Sequence, residues 1–162
     1  MIVISDATPI ISLAKIGMIY ILRKFFNEVI LPKAVYDEIC INPIFLDEAK
    51  MIQTCEFIQV ETVSNEQSIK ILRATGLDLG ESEAIVLADS LPDALLLMDE
   101  RKGRQIASSM GIRIIGTLGL LLLAKEHGLI KQIKPLMDAL IEANIRISES
   151  LYNSILEIAE EM

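Results

Sequence analysis

Two stretches decide the fold: residues 1–10, MIVISDATPI, and residues 95–104, LLLMDERKGR. In each, a short apolar run typical of a buried strand ends on an aspartate, Asp6 in the first and Asp99 in the second. If the two strands lie side by side in a parallel sheet, both carboxylates emerge at one edge, where open α/β sheets bind ligands. Two ionised carboxylates close together repel each other, so either one is protonated or a cation lies between them.

The rest of the sequence alternates between strand-like and helix-like patterns. Strands are predicted at residues 2–5, 29–31, 57–60, 94–98 and 113–115. Helices are predicted at residues 9–16, 19–25, 33–40, 46–53, 66–75, 81–90, 102–110, 117–127, 133–143 and 148–161. Strands that alternate with helices predict an α/β fold, a three-layer α/β/α sandwich with a central parallel sheet.

The length and continuity of the chain indicate one domain. The 162 residues are enough to bury a sizeable core. No linker, internal repeat or low-complexity segment interrupts them. We therefore expect residues 1–162 to form a single domain, in which residues 131–162 are a helical C-terminal extension.

The composition excludes several classes of protein. With 52% hydrophobic residues the chain is not expected to be disordered, and no apolar stretch reaches the about 20 residues that span a bilayer. No basic region precedes the first strand, and Cys40 and Cys55 form no close-spaced pair, which favours a cytoplasmic protein. The net charge of −8 argues against a protein that coats nucleic acid by bulk electrostatics, but not against a local grip on one strand.

Three further acids stand out beside Asp6 and Asp99. Glu38 lies next to the apolar stripe of a predicted helix, and Glu81 and Glu83 lie in the first turn of another. Each acid has an ordinary structural interpretation. The two aspartates are suited to capping the helices that follow them, Glu38 to a solvated helix face, and first-turn glutamates to favourable contact with the helix dipole. Only a metal site requires all of them to converge.

The type of acid indicates the type of metal. Carboxylates without histidine or cysteine partners suit hard divalent ions, which favours Mg²⁺ or Mn²⁺. The single histidine, His127, follows an apolar helix and is interpreted as its C-terminal cap. A zinc site is therefore disfavoured.

Five sequence blocks, taken together and in this order, resemble the PIN-domain nucleases. They are DATPII (residues 6–11), LPKAVYDEI (31–39), LDLGESEAI (77–85), LLMDERKGR (96–104) and GTLGLL (116–121). They are most similar to the compact prokaryotic branch related to the toxins of VapBC toxin–antitoxin modules. The resemblance covers residues 1 to about 130 and leaves the remainder uncovered.

The resemblance implies a function and a set of residues. Members of the family bind one or two Mg²⁺ or Mn²⁺ ions through distant acids and cut single-stranded RNA. Asp6 matches the first acid, Glu38 the helical acid and Asp99 the late strand-end acid. Thr8 matches a small hydroxyl residue that supports the water network around the metal. The implied protein is a metal-dependent endoribonuclease, either the toxin of such a module with an antitoxin protein as its partner, or a housekeeping nuclease.

The third acid of the family, usually aspartate, is replaced here by Glu81 or Glu83. Residues two apart in a helix point about 200° away from each other, so both glutamates cannot face one ion. We favour Glu81, because Gly80 gives the chain an irregular start there and the long side chain can reach the edge of the sheet from the first helical turn.

Two other features have alternative interpretations. Arg101, Lys102 and Arg104 follow Asp99 and are suited to holding the phosphates of an RNA strand, but they equally fit a solvated positive helix face. The leucines at 118 and 120–123 surround more than one face of a helix, from which we predict a homodimer. Burial of this helix by the segment 130–162 is the alternative.

Two rival functions remain open on the sequence alone. One is a non-catalytic PIN-like module that binds a partner protein, which the exchange of the third aspartate for glutamate favours. The other is a metal-dependent phosphatase that acts on small substrates.

Overall fold

The computed structural model describes all residues, 1–162, and contains one five-stranded parallel sheet. The strands are β1 (Ile2–Ser5), β2 (Glu28–Pro32), β3 (Ile58–Glu61), β4 (Leu95–Leu97) and β5 (Arg113–Ile115), in the order β3-β2-β1-β4-β5. In this register Ser5 lies opposite Leu97. The two strands that precede Asp6 and Asp99 are therefore neighbours, which meets the condition under which their carboxylates emerge at one edge.

Ten α-helices connect and cover the strands. They are α1 (Ala7–Lys15), α2 (Ile21–Phe25), α3 (Lys33–Ile41), α4 (Leu46–Gln53), α5 (Glu66–Ala74), α6 (Leu79–Ser90), α7 (Arg101–Ser109), α8 (Thr117–Glu126), α9 (Lys134–Glu142) and α10 (Glu149–Ile158), with a short 3₁₀ turn at Pro43–Phe45. His127 ends α8, and its ring nitrogen Nδ1 lies 3.0 Å from the carbonyl oxygen of Leu123. None of these helices is long and apolar enough to cross a membrane.

The sheet is covered on both faces, which confirms the three-layer α/β/α sandwich. Consecutive strand residues point to opposite faces, and Val3 and Ile4 of β1 accordingly belong to two separate cores. The first core includes side chains of α1 to α4 and of α8 to α10, and the second includes those of α5, α6 and α7. Because β1, β2 and β4 are buried on both sides, each contains an unbroken run of three apolar residues or more rather than an alternating pattern.

The strand order reverses between β1 and β4. From β1 the chain continues outward to β2 and β3, and then crosses back to place β4 and β5 on the other side. In an open parallel sheet, such a reversal leaves a crevice at the carboxyl ends of the two strands, where ligands bind. Asp6 and Asp99 lie at this crevice.

The leucine-rich helix α8 is buried within the chain itself. Leu120 and Leu121 are fully buried in the same core as Met137 of α9 and Ile155 of α10. The segment 130–162 thus accounts for the burial of Leu120 and Leu121, while Leu118, Leu122 and Leu123 are half-buried. The homodimer stays a prediction, and sedimentation equilibrium checks it: a strict 18.0 kDa monomer at tens of micromolar would exclude it.

Glu161 ties α8, α9 and α10 together. Its side chain, only 7% exposed, lies 2.8 Å from the ammonium nitrogen of Lys125 on α8. It also accepts hydrogen bonds from the backbone N–H groups of Ile133 at 2.8 Å and Lys134 at 3.0 Å, where α9 begins. Burial raises the pKa of Glu161, but these N–H groups and Lys125 outweigh it and hold the pKa below its usual value.

We expect Glu161→Ala to lower the free energy of unfolding by about 2–3 kcal/mol at neutral pH, because it leaves two backbone N–H groups without their partner and Lys125 with only the carbonyl oxygen of Ala159. Since the folded pKa of Glu161 is depressed, its stabilisation is present above the unfolded value of 4.5 and is lost as the pH falls through the folded pKa. Urea denaturation of this variant and of Glu157→Ala, an exposed glutamate of α10, measures the difference. Equal stabilities at neutral pH would contradict the assignment.

Candidate active site

Asp6 is a buried carboxylate that does not cap a helix. It occupies the residue before α1 with extended backbone angles, yet its side chain accepts no capping hydrogen bond there. Only 5% of the residue is exposed. The interpretation of Asp6 as a simple helix cap is therefore wrong, and its burial next to the crevice needs another explanation.

The environment of Asp6 favours its protonated form when no cation is bound. Burial, the largest cause, raises the pKa of Asp6 to about 7, although the backbone N–H of Ala7 opposes the change. Three further carboxylates raise the pKa through their negative charge, those of Asp78, Glu38 and Asp99. Several acids from distant parts of the chain thus act on one carboxylate.

Asp99 is held by the start of α8. Its Oδ1 accepts a hydrogen bond of 2.7 Å from the backbone N–H of Thr117, and its Oδ2 accepts one of 2.6 Å from the Thr117 hydroxyl. Asp99 does not cap α7, because Glu100 does so through the N–H of Gly103 at 2.7 Å. Thr117 fixes the orientation of Asp99 at the crevice. The sequence analysis did not single out Thr117, although its position after β5 parallels that of Asp6 after β1.

The first turn of α6 approaches Asp6. The helix begins at Leu79, and its first turn is closed by a capping box between Asp78 and Glu81. The N–H of Glu81 donates to Asp78 Oδ1 at 2.7 Å, and the N–H of Asp78 donates to Glu81 Oε1 at 2.9 Å. A Cβ atom on Gly80 would lie 3.8 Å from Asp6 Oδ1 and 3.6 Å from Asp78 Oδ1. Both carboxylates therefore lie beside Gly80, at the start of α6.

Glu81 and Glu38 respond to the same group of charges. Burial raises the pKa of Glu81 to about 7, the hydrogen bond from the backbone of Asp78 opposes this, and the charges of Asp78 and Asp6 add to it. Burial also raises the pKa of Glu38, and so does the charge of Asp78. We call this group the acid rim and define it as Asp6, Glu38, Asp78, Glu81 and Asp99.

Asp78 is the member of the acid rim that the sequence analysis missed. It raises the pKa of each of the three acids whose pKa rises, Asp6, Glu38 and Glu81. The signal was present in the sequence as Asp-Leu-Gly-Glu, the spacing of a capping box. In the sequence, this pattern indicates only the cap of a helix. The fold is what brings the start of that helix to the crevice.

Glu83 has a partner outside the acid rim. It is buried, and its Oε1 accepts a hydrogen bond of 3.1 Å from the backbone N–H of Ala34, in the first turn of α3. Glu81 and Glu83 thus bond to different elements. Glu83 connects α6 to the start of α3, the helix that carries Glu38.

The basic residues and Thr8 differ in solvent exposure and in their hydrogen bonds. Arg101 and Lys102 are exposed at the start of α7. Arg104 is half-buried and donates a hydrogen bond of 2.9 Å to the carbonyl oxygen of Met98. Thr8 is exposed in the first turn of α1, two residues after Asp6. Arg101, Lys102 and Thr8 are therefore accessible from solvent, whereas Arg104 is held by the main chain.

The donor atoms of the acid rim fit a hard divalent cation. All are carboxylate oxygens, the ligands that Mg²⁺ and Mn²⁺ prefer. As the side chains are placed, no three Asp, Glu, His or Cys residues are close enough to hold one ion. The fit therefore rests on the chemistry of the donors and on the raised pKa values of Asp6 and Glu81, which a bound cation would lower.

The comparison with protein families gives one result. A family model with the description "DUF3368: PIN domain" matches residues 2–161. The match includes α9 and α10, which lie beyond the part of the chain covered by the resemblance of the five blocks. Neither the curated proteins nor the solved structures include a match.

Proposed function

Because the chain belongs to the PIN-domain family, whose members are generally nucleases that use divalent metal ions, we propose that it is a Mg²⁺- or Mn²⁺-dependent endoribonuclease. Its substrate is single-stranded RNA, and its reaction is the hydrolysis of phosphodiester bonds. The observation that supports this proposal most is the position of Asp6 and Asp99. They lie past the carboxyl ends of the adjacent strands β1 and β4, where the strand order reverses, and the charges of Glu38, Asp78 and Glu81 interact with Asp6 there.

Each acid has a defined part in the proposed mechanism. Asp6, Glu38, Glu81 and Asp99 would hold the ion, and Thr117 fixes the orientation of Asp99 by donating to both of its oxygens. The capping box holds the start of α6 so that Glu81 stays near Asp6. When bound, a divalent ion lowers the pKa of a water molecule and stabilises negative charge on the phosphate. Thr8, exposed two residues after Asp6, would hydrogen-bond to such a water.

Substrate binding requires positive charge near the acid rim. The protein has a net charge of −8, so a phosphate chain is repelled except where basic side chains offset the acids. We assign this task to Arg101 and Lys102, which are exposed directly after Asp99. Arg104 contributes by holding the carbonyl of Met98, next to Asp99, rather than by binding phosphate itself.

One assay distinguishes the proposed function from its rivals. A single-stranded RNA oligomer, the same RNA in a duplex and a small phosphate ester are each incubated with Mn²⁺ and with a chelator. Cleavage of the single strand alone, only with Mn²⁺, is expected. Faster hydrolysis of the small ester would indicate a phosphatase instead. If none of the three substrates is hydrolysed, the result would support the non-catalytic interaction module.

We also propose that the protein acts in the cytoplasm as the toxin of a toxin–antitoxin module, with an antitoxin protein as its partner. The resemblance of the five sequence blocks supports this role. Induced expression in a bacterium should arrest growth, and Asp6→Asn should abolish the arrest. Equal growth with and without induction, in cells that contain active nuclease, would contradict the toxin role without affecting the nuclease proposal.

We expect Mn²⁺ to stabilise the fold, because an ion that binds only the folded acid rim raises the free energy of unfolding by mass action. The gain is about 2.7 kcal/mol when the free ion is a hundred times its Kd. It should increase with pH, because protons compete for Asp6 and Glu81 up to their pKa values of about 7. Thermal melts with and without millimolar Mn²⁺, at about pH 5 and about pH 8, measure it. An unchanged melting temperature at the higher pH would count against the site.

A further inference from the structure

A cavity of about 430 Å³ lies beside Asp99, between α1, α8 and the loop that joins α9 to α10. Its volume falls in the range of small-ligand sites. Apolar side chains of α8, α9 and α10 form part of its wall, and six polar or charged residues complete it: Thr8, Ser12, Asp99, Thr117, Asn144 and Arg146. A mixture of apolar walls and a few polar groups suits a ligand with a flat ring and hydrogen-bonding edges.

Ser12 indicates that the cavity holds a ligand. The residue is fully buried in α1, and its hydroxyl has no hydrogen-bond partner. A buried hydroxyl without a partner is unfavourable, and a serine inside a helix commonly bonds to a backbone carbonyl of its own helix instead. Only one other buried side-chain polar atom, the hydroxyl of Ser82, lacks a partner. A ligand in the cavity that hydrogen-bonds to the Ser12 hydroxyl would remove the cost of leaving this hydroxyl without a partner.

The cavity is continuous with the acid rim. Asp99 belongs to both, and Thr117, which fixes Asp99, also lines the cavity. Thr8 lines it as well, two residues after Asp6. A ligand that fills the cavity therefore lies directly next to the place where the phosphodiester bond is cut in the proposed function.

Arg146 supplies the charge that such a ligand needs. It is exposed on the loop between α9 and α10, and it takes part in none of the four ion pairs of the protein. Its neighbour Asn144 also lines the cavity, and a positive φ of 67° turns the chain there. A free guanidinium next to an amide fits a phosphate group together with the edge of a base.

We propose that this cavity is a nucleotide subsite, which binds the nucleotide next to the scissile phosphate in single-stranded RNA. The base lies between the apolar walls, Ser12 and Asn144 hydrogen-bond to it, and Arg146 holds a phosphate. The inference rests on the proposed function. It adds that the segment 131–162 takes part in substrate recognition and gives the enzyme a base preference on one side of the cut.

Binding and cleavage are tested separately. The four ribonucleoside 5′-monophosphates are titrated into the metal-free protein by NMR, and the cut sites in a randomised RNA oligomer are sequenced with Mn²⁺ present. We expect one nucleotide to bind best, with shifts at Ser12 and Arg146. Arg146→Gln should weaken that binding about tenfold, the loss of about 1.4 kcal/mol. Arg73→Gln, an exposed arginine of α5, should bind as the unaltered protein does.

Ser12→Ala separates recognition from packing. Because it removes an unpartnered hydroxyl, it should keep the fold intact and yet alter the base preference at the cut. If RNA is cut but no monophosphate binds, and both variants keep the original cut sites, the subsite is wrong while the proposed function stands. If monophosphates bind in the cavity but no RNA is cut, the subsite stands as a nucleotide site and the proposed function fails.

Discussion

Replacing Asp6 with asparagine is expected to lower RNA cleavage about a thousandfold, which corresponds to about 4 kcal/mol of transition-state stabilisation. The loss is large because Asp6 is the acid on which the other charges of the site converge. The substitution keeps the shape of the side chain and removes only its charge. It therefore tests the electrostatic role of the carboxylate rather than its packing.

The same substitution should stabilise the metal-free protein at higher pH. The unfolded chain releases the Asp6 proton near 3.8 and the folded chain only near 7. Between these values the folded state binds more protons, so the free energy of unfolding falls as the pH rises. Three pH units correspond to at most about 4 kcal/mol, and water entering the site will reduce this to a few kcal/mol. Below pH 4 the two proteins should be equally stable.

The stability measurement on Asp6→Asn needs a control variant that removes one negative charge elsewhere. Asp93→Asn removes an exposed acid at the amino end of β4, the opposite edge of the sheet from the acid rim. Urea denaturation with a chelator present, at about pH 4 and about pH 8, should show a gain for Asp6→Asn only at the higher pH. An active Asp6→Asn enzyme, or one that is less stable than the unaltered protein at about pH 8, would refute the role of Asp6.

Much of this site could be predicted from the sequence because its signals are local. A strand that ends on an acid is visible in MIVISDATPI without any knowledge of the fold, and so is the apolar run before Asp99. That both strands are neighbours was only a condition of this interpretation, and the observed pairing of β1 with β4 meets it. The fold class followed from the alternation of strands and helices for the same reason.

What could not be predicted depends on contacts between distant parts of the chain. The sequence predicts that Asp78 caps a helix, and it does. Only the packing of α6 against β1 brings its charge close to Asp6. The hydroxyl of Thr117 meets Asp99 only because β4 and β5 are adjacent. The partner of Glu83 lies 49 residues away along the chain. No local pattern carries this information.

Glu81 and Glu83 differ in what their substitution should change. Glu81→Gln keeps the hydrogen bond to the N–H of Asp78, since an amide oxygen also accepts, but it removes the charge that faces Asp6. We therefore expect this variant, without metal, to be at least as stable as the unaltered protein, because it removes a carboxyl whose folded pKa is raised to about 7. We expect it to lose Mn²⁺ affinity and nuclease activity about tenfold or more, which is at least about 1.4 kcal/mol.

Glu83→Gln should retain both properties, because its amide oxygen still accepts from the N–H of Ala34. Glu83→Ala removes that acceptor and leaves the N–H of Ala34 without its partner, which should lower the free energy of unfolding by about 1–2 kcal/mol. The Mn²⁺ affinity of this variant should stay the same. Calorimetric Mn²⁺ titration and urea denaturation of the three variants separate ion binding from stability. Equal losses of Mn²⁺ affinity at the two positions would mean that both glutamates support the site indirectly. A larger loss in Glu83→Gln than in Glu81→Gln would make Glu83 the third acid, with the cap on α3 as the means by which the metal-free protein holds it.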